Sequence, residues 1–203
     1  MPFKKLHSDI IEKLDSFEIT VPTPFQKKSI PVIKSGANVY CTAPKGSGKT
    51  TTLILTTLQK LKCEEVGIAP RAIILVEDRA RAFELEETML QYTRHTSLRV
   101  YTCDDKFHIE VLTSEIFEGV DILIATAKTV CKLLLLEGLN MTQLKIFNIE
   151  DAEFLAKSAT YTDLMAITQS IHKCQYVVYS EKTNTMLKRL ETNFMQYSKT
   201  ISV

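Results

Sequence analysis

Six short apolar runs that hardly alternate with polar residues constrain this chain more than any other feature. They read NVYCTA at 38–43, AIILV at 72–76, LRVYT at 98–102, VDILIA at 120–125, KIFNI at 145–149 and YVVYS at 176–180. Such near-continuous runs suit strands covered on both faces. Between them lie segments with helical apolar spacing, at 49–62, 79–93, 127–136, 162–173 and 185–197. Strand then helix, repeated, predicts a mainly parallel sheet flanked by helices in a three-layer α/β fold. No repeat, linker or low-complexity tract interrupts it, and 203 residues at 45% apolar content can bury one core, so a single domain over 1–203 is expected.

Charge narrows the partners little. Lys and Arg number 25 against 24 Asp and Glu, so any nucleic-acid surface has to be a local patch. Cys41, Cys63, Cys103, Cys131 and Cys174 are odd in number, far apart and without a CxxC pair. That spacing signals neither a disulfide framework nor a zinc motif, and a reducing compartment is expected. The longest apolar clusters are too short to cross a bilayer, so the expectation is a soluble intracellular chain with no membrane partner.

Directly after the first run, residues 43–50 read APKGSGKT. Glycines let a backbone curl until successive N–H groups converge on an anion, and the helix that follows presents its positive end. Gly46 and Gly48 supply that curl around Ser47. In a phosphate loop of this kind Lys49 reaches the β and γ phosphates, and the Thr50 hydroxyl ligates magnesium. The competing reading is a glycine turn with an incidental lysine, since Ala43 stands where the stricter pattern has glycine; the strand before and the helix after favour phosphate.

With its flank, PTPFQKKSIPVIKSGANVYCTAPKGSGKT (22–50) resembles the opening of DEAD-box RNA helicases, where Pro-Thr-Pro-Ile-Gln precedes Ala-x-x-Gly-Ser-Gly-Lys-Thr. The resemblance implies the first of two RecA-like domains, with ATP and Mg2+ as ligands and RNA and the second RecA-like domain as partners. It implies that Gln26 meets the adenine edge, that Pro24 opens a helix, and that the nucleotide is held by Gln26, Lys45, Gly46, Ser47, Gly48, Lys49 and Thr50. Ile19 stands where the family usually has an aromatic residue. Lys45 replaces a small polar residue, and its ammonium either adds to the attraction for phosphate or points into solvent. The closing TISV is similar to the domain's last strand.

Downstream the pattern departs from the family. VEDRARA (76–82) replaces Pro-Thr-Arg-Glu-Leu-Ala, and ATAKTV (125–130) replaces Ala-Thr-Pro-Gly-Arg. The resemblance implies that Arg79, Thr126 and Lys128 touch RNA phosphate; a solvated arginine and a helix-capping threonine explain the same residues. NIEDAEFL (148–155) stands where the family has Asp-Glu-Ala-Asp, with the first two acids exchanged. Glu150 would hold magnesium with Thr50, partly through water, and Asp151 would orient the attacking water. Loss of general-base help costs on the order of 10² to 10⁴ in rate, so hydrolysis is expected to be feeble or absent. Two alternatives stay open: the acids exchange roles, or the run is an acidic helix start favoured by the dipole. SEK (180–182) replaces Ser-Ala-Thr, which puts the coupling of nucleotide to RNA in question.

The expectation is therefore a divergent ATP-binding domain that hydrolyses weakly or not at all and serves RNA binding or ribonucleoprotein scaffolding in the cytoplasm. The altered motifs are similar to those of the Tudor-domain-bearing members of the piRNA pathway, which implies Piwi-type partners in perinuclear or germ granules. The alternatives are an RNA-dependent ATPase completed by a second RecA-like domain and a nucleotide-free protein-interaction module.

Overall fold

Each strand of the sheet sorts its side chains by parity into two cores. In β2 (Ala72–Val76), Ala72, Ile74 and Val76 enter one core while Ile73 and Leu75 enter the other. In β4 (Ile122–Thr126), Ile122 and Ile124 go with the first set and Leu123 and Ala125 with the second. A strand with both faces buried is apolar on both, which is why its sequence does not alternate; the buried Asn148 of the fifth strand donates to Thr57 Oγ1 at 2.9 Å. Truncating one of these fully buried side chains, such as Ile74, costs about 2–5 kcal/mol.

The computed structural model describes residues 3–182 and 185–203. The other strands are β1 (Val39–Thr42), β3 (Val100–Thr102), β5 (Ile146–Ile149), β6 (Gln175–Ser180) and β7 (Lys199–Ser202). They form one sheet in the order β3-β4-β2-β5-β6-β1-β7, and every pairing is parallel. On one face lie α1 (Ser8–Ser16), α2 (Pro24–Lys34), α3 (Lys49–Leu61) and α4 (Arg79–Thr93). On the other lie α5 (Ile109–Glu118), α6 (Ala127–Leu135), α7 (Ser158–Gln169) and α8 (Thr185–Glu191). This is the expected three-layer RecA-like α/β architecture. The chain leaves β1 for β2, three places away, and returns to β1's other side only with β7. At such a topological switch, ligands sit beyond the carboxyl ends of the strands.

Some boundaries differ from the sequence reading. The helix α7 starts at Ser158 rather than 162, and α8 ends at Glu191 rather than 197 because the chain must turn into β7. The helices α1 and α5 lie outside the segments expected to be helical, although Ile10 and Leu14, and Ile109, Leu112 and Ile116, are buried at helical spacing. Among the described residues no helix is long and apolar enough to cross a membrane.

At the far end of the strands from the phosphate loop, Asp121 is fully buried between two arginines. Arg71 donates to its Oδ1 from Nη2 at 2.6 Å and Nε at 3.0 Å, and Arg99 donates to its Oδ2 from Nε at 2.9 Å. This cluster pins the loops that enter β2, β3 and β4. His7, Asp9 and Cys63 also bring one donor atom each within 4.8 Å of one another, a proximity the sequence spacing did not suggest. Three donors are one fewer than a closed structural zinc site uses.

Candidate functional site: a phosphate loop facing a strand-end carboxylate

The chain turns sharply between β1 and α3. Gly46 and Gly48 take φ of +81° and +92°, the left-handed region glycine enters without steric cost, and Gly48 caps α3. Lys49 is buried, and its Nζ donates to the loop carbonyls of Ala43 at 2.8 Å and Pro44 at 3.2 Å. Among the described residues Ser47 Oγ is buried without a partner. A turn that folds around an ammonium, lines it with glycine and leaves a hydroxyl unsatisfied is suited to an anion.

Gln26 reaches this loop from α2. Thr23 and Gln26 form a reciprocal capping box: Thr23 N–H donates to Gln26 Oε1 at 3.0 Å and Gln26 N–H donates to Thr23 Oγ1 at 3.2 Å. The Thr23 hydroxyl in turn donates to the Ser47 carbonyl at 2.8 Å. A Cβ on Gly48 would lie 2.7 Å from Gln26 Nε2, so the two elements touch directly. Pro24 opens α2, where its missing N–H costs nothing. Ile19 packs against the core.

Opposite the loop, β5 delivers Glu150, buried to 1% exposure. Thr50 donates its hydroxyl proton to Glu150 Oε1 at 2.8 Å, so the two expected magnesium ligands are brought together. A guanidinium that sequence reasoning passed over lies on both. Arg81 donates from Nε to Glu150 Oε2 at 2.9 Å, from Nη2 to Oε1 at 2.6 Å, and from Nη2 to Thr50 Oγ1 at 3.2 Å. Its Nη1 meets exposed Glu84 at 2.8 Å. Burial opposes the charge on Arg81, but the bond and proximity to Glu150 outweigh it and hold the pKa above arginine's ordinary value. Hard oxygen donors suit magnesium chemically. Here, however, a cation already satisfies those oxygens, so the residues as arranged do not fit an added dication.

Asp151 follows at φ +44°, a left-handed turn that aspartate tolerates better than most residues. It lines a cavity of about 600 Å³ with Lys45, Gly46, Gly48, Lys49 and Thr50. Thr51, Arg81, Glu84 and Glu181 complete the wall. The volume is within the roughly 300–1,000 Å³ of small-molecule sites. Partial withdrawal from water raises the Asp151 carboxyl's pKa; Lys49 and Arg81 oppose the rise, and Glu153 and Glu181 add to it. Glu153 accepts from the Glu181 N–H at 2.6 Å and, more weakly, from the Lys182 N–H at 3.4 Å. The strand-end acids thus reach the Ser180–Lys182 segment through its backbone, which the charged substitutions leave intact.

Arg79 and Thr126 sit at the ends of adjacent strands, β2 and β4, whose registered pairs include Val76 with Thr126. Arg79 is engaged: Nε and Nη2 donate to Asp104 Oδ1 and Oδ2, each at 2.6 Å, and the guanidinium covers the Phe83 ring at 4.7 Å. Thr126 caps α6, its hydroxyl accepting from the Thr129 N–H at 3.3 Å. Lys128 is exposed in the first turn of that helix. Asp104, like Arg81, carried no motif signal; its role comes from a loop 25 residues beyond its partner.

Residues 23–196 match the DEAD/DEAH box helicase family model. The DEAD-box ATP-dependent RNA helicase CshA of Streptococcus pneumoniae is 23% identical over 199 residues, 97% of this chain and 38% of that protein. The ATP-dependent RNA helicase ddx54 of Dictyostelium discoideum is 30% identical over 135 residues, 66% of this chain and 12% of that protein. The chain thus spans well under half the length of these relatives. A DEAD box protein of the hyperthermophile Methanococcus jannaschii shares the fold with a TM-score of 0.89 at 19% identity, over 98% of this chain and 54% of that one. S. cerevisiae dbp5, solved bound to nup159, gle1, IP6 and ADP, shares it with a TM-score of 0.84 at 18% identity, over 98% and 52%. Family match, parallel sheet and phosphate loop agree: this chain belongs to the DEAD/DEAH box helicase family and has the fold of its N-terminal RecA-like domain.

Proposed function

We propose that residues 1–203 form a single RecA-like domain that holds ATP at the Gly46–Thr50 loop, hydrolyses it weakly or not at all, and serves RNA binding or ribonucleoprotein scaffolding. One observation carries the nucleotide reading: the glycine loop curls around the buried Lys49 and, with Thr50, lines a cavity of about 600 Å³, while the Thr50 hydroxyl bonds directly to the strand-end Glu150 at 2.8 Å. Weak hydrolysis is supported by Asp151, one methylene shorter than the family's glutamate at the position that orients water, where a shift of about 1 Å can cost on the order of a hundredfold. Weakened RNA contact is supported by Arg79, whose guanidinium is paired with Asp104. We extend the proposal to the Tudor-bearing, piRNA-pathway type, with a cytoplasmic granule location and Piwi-type partners, on the likeness of the altered motifs.

The second reading, an RNA-dependent ATPase completed by another RecA-like domain, is favoured by the Glu153 link to Glu181, which leaves a path from the acids to the coupling segment. Three measurements test the proposal. Calorimetric titration with ATP should show binding that Lys49→Ala weakens tenfold or more, the size of one strong charge-assisted contact at about 1.4 kcal/mol. No binding by the wild type leaves the protein-interaction module. Steady-state ATPase of the full-length protein with RNA should fall at least about a hundredfold below the 1–10³ s⁻¹ typical of enzymes. Ordinary turnover selects the second reading, and co-purification without Piwi-type proteins removes the extension.

A further inference from the structure

We infer that Arg81 takes the place of the divalent cation in this pocket, so that the chain binds a nucleotide's β and γ phosphates without magnesium. The inference rests on the nucleotide reading above and specifies what that site requires. Its ground is geometric. The Arg81 guanidinium bonds to both oxygens of the Glu150 carboxylate and to the Thr50 hydroxyl, the two groups expected to ligate magnesium.

The arrangement is built rather than incidental. Asp78 caps α4 by accepting the Arg81 N–H at 2.9 Å, which fixes the backbone from which the side chain departs. The inner edge of the guanidinium, Nε and Nη2, is spent on a carboxylate with 1% exposure, a pair costly to break because it would leave that charge buried alone. The outer nitrogen, Nη1, is held among the described residues by Glu84, whose side chain is 68% exposed. Exposed pairs of that sort are worth little, so a phosphate oxygen can displace Glu84 and take Nη1 while the inner edge stays anchored. Lys45 lines the same cavity. Together Lys45 and Arg81 carry the two positive charges of one magnesium ion, and they stand where the family pattern has a small polar residue and a leucine.

The decisive experiment is an ATP titration of the chain by calorimetry, in excess magnesium and in excess EDTA, for the wild type, Arg81→Leu and Arg81→Lys. The wild type should bind with dissociation constants within about threefold of each other in the two buffers, a difference under about 1 kcal/mol. Arg81→Leu, the residue of the family pattern, should bind tenfold or more weakly in EDTA than in magnesium. Arg81→Lys, charged but unable to span both oxygens, should fall between. Wild-type binding that drops tenfold or more in EDTA overturns the inference and leaves the nucleotide reading standing; absence of binding in both buffers overturns both. Should Arg81→Leu fail to fold, the wild-type comparison decides alone. Mn2+ titrated into the nucleotide-free wild type and followed by electron paramagnetic resonance should show no ordered site, and a stoichiometric one would also overturn the inference.

Discussion

Arg79 and Arg81, two residues apart on α4, are each clamped by a carboxylate and point in different directions, Arg79 to Asp104 and Arg81 to Glu150. Two residues turn a helix by about 200°, so neighbours in one motif serve two sites.

The Asp104 clamp sets the first prediction. The hydrogen bonds from Arg79 hold the Asp104 carboxyl down to about 2, so it stays ionised and keeps the arginine at any physiological pH. Asp104→Ala should lower the unfolding temperature, because Asp104 is only 7% exposed, its carboxylate also accepts the Lys106 N–H at 3.1 Å, and a depressed folded pKa contributes stability at neutral pH. It should strengthen binding to single-stranded RNA, and steepen the dependence of log affinity on log salt by about 0.7, one phosphate contact's worth. An unchanged slope would mean that Arg79 does not touch RNA.

Gly48→Ala and Gly46→Ala separate steric contact from backbone strain. Both positions are left-handed, which costs a residue with a Cβ about 1–2 kcal/mol. Only at Gly48 would the Cβ also meet Gln26, at 2.7 Å from Nε2, whereas at Gly46 nothing lies within 4 Å. Thermal unfolding should therefore fall further for Gly48→Ala, and ATP affinity should fall with it as Gln26 is pushed off the loop. Equal losses in the two variants would refute the Gln26 contact.

Asp121 should govern acid stability. Burial alone would raise its pKa, but hydrogen bonds from Arg99 and Arg71 outweigh that and lower it. A carboxyl with a depressed folded pKa contributes stability that is present above the unfolded value of about 3.9 and is lost as pH falls through the folded one. Urea midpoints should decline below about pH 4 in the wild type. Asp121→Ala, which strands two arginines, should cost about 3–5 kcal/mol at neutral pH and flatten that decline.

Asp151 should act in the opposite sense, since its folded pKa is raised. Its ionisation costs the folded state stability as pH rises from the unfolded value of about 3.9 through the folded one, and the cost persists at neutral pH. Asp151→Asn should raise the unfolding temperature at pH 7, with the gain shrinking toward pH 4. A gain independent of pH would come from the preference of asparagine for the left-handed turn instead.

Much of this was written locally in the chain. The apolar run at 72–76 coincides with β2 and the run at 120–125 overlaps β4, because a strand buried on both faces is built mostly of apolar residues. The phosphate loop was legible because its shape depends on consecutive residues, two glycines and the helix start after them. The end of α8 was not, since the following residues are drawn into the β7 edge strand by pairing with β1, a partner far away in sequence.

By itself the sequence determined the layers of the fold, the loop from Gly46 to Thr50 and the acids at 150 and 151, each encoded in a contiguous stretch. Only the tertiary structure decided what those acids face. Placing β2 beside β5 brings Arg81 to Glu150 across 69 residues, and the loop after β3 brings Asp104 to Arg79. Charge pairs of this kind depend on distances of a few ångströms between distant segments, and no local pattern of residues records which strands become neighbours.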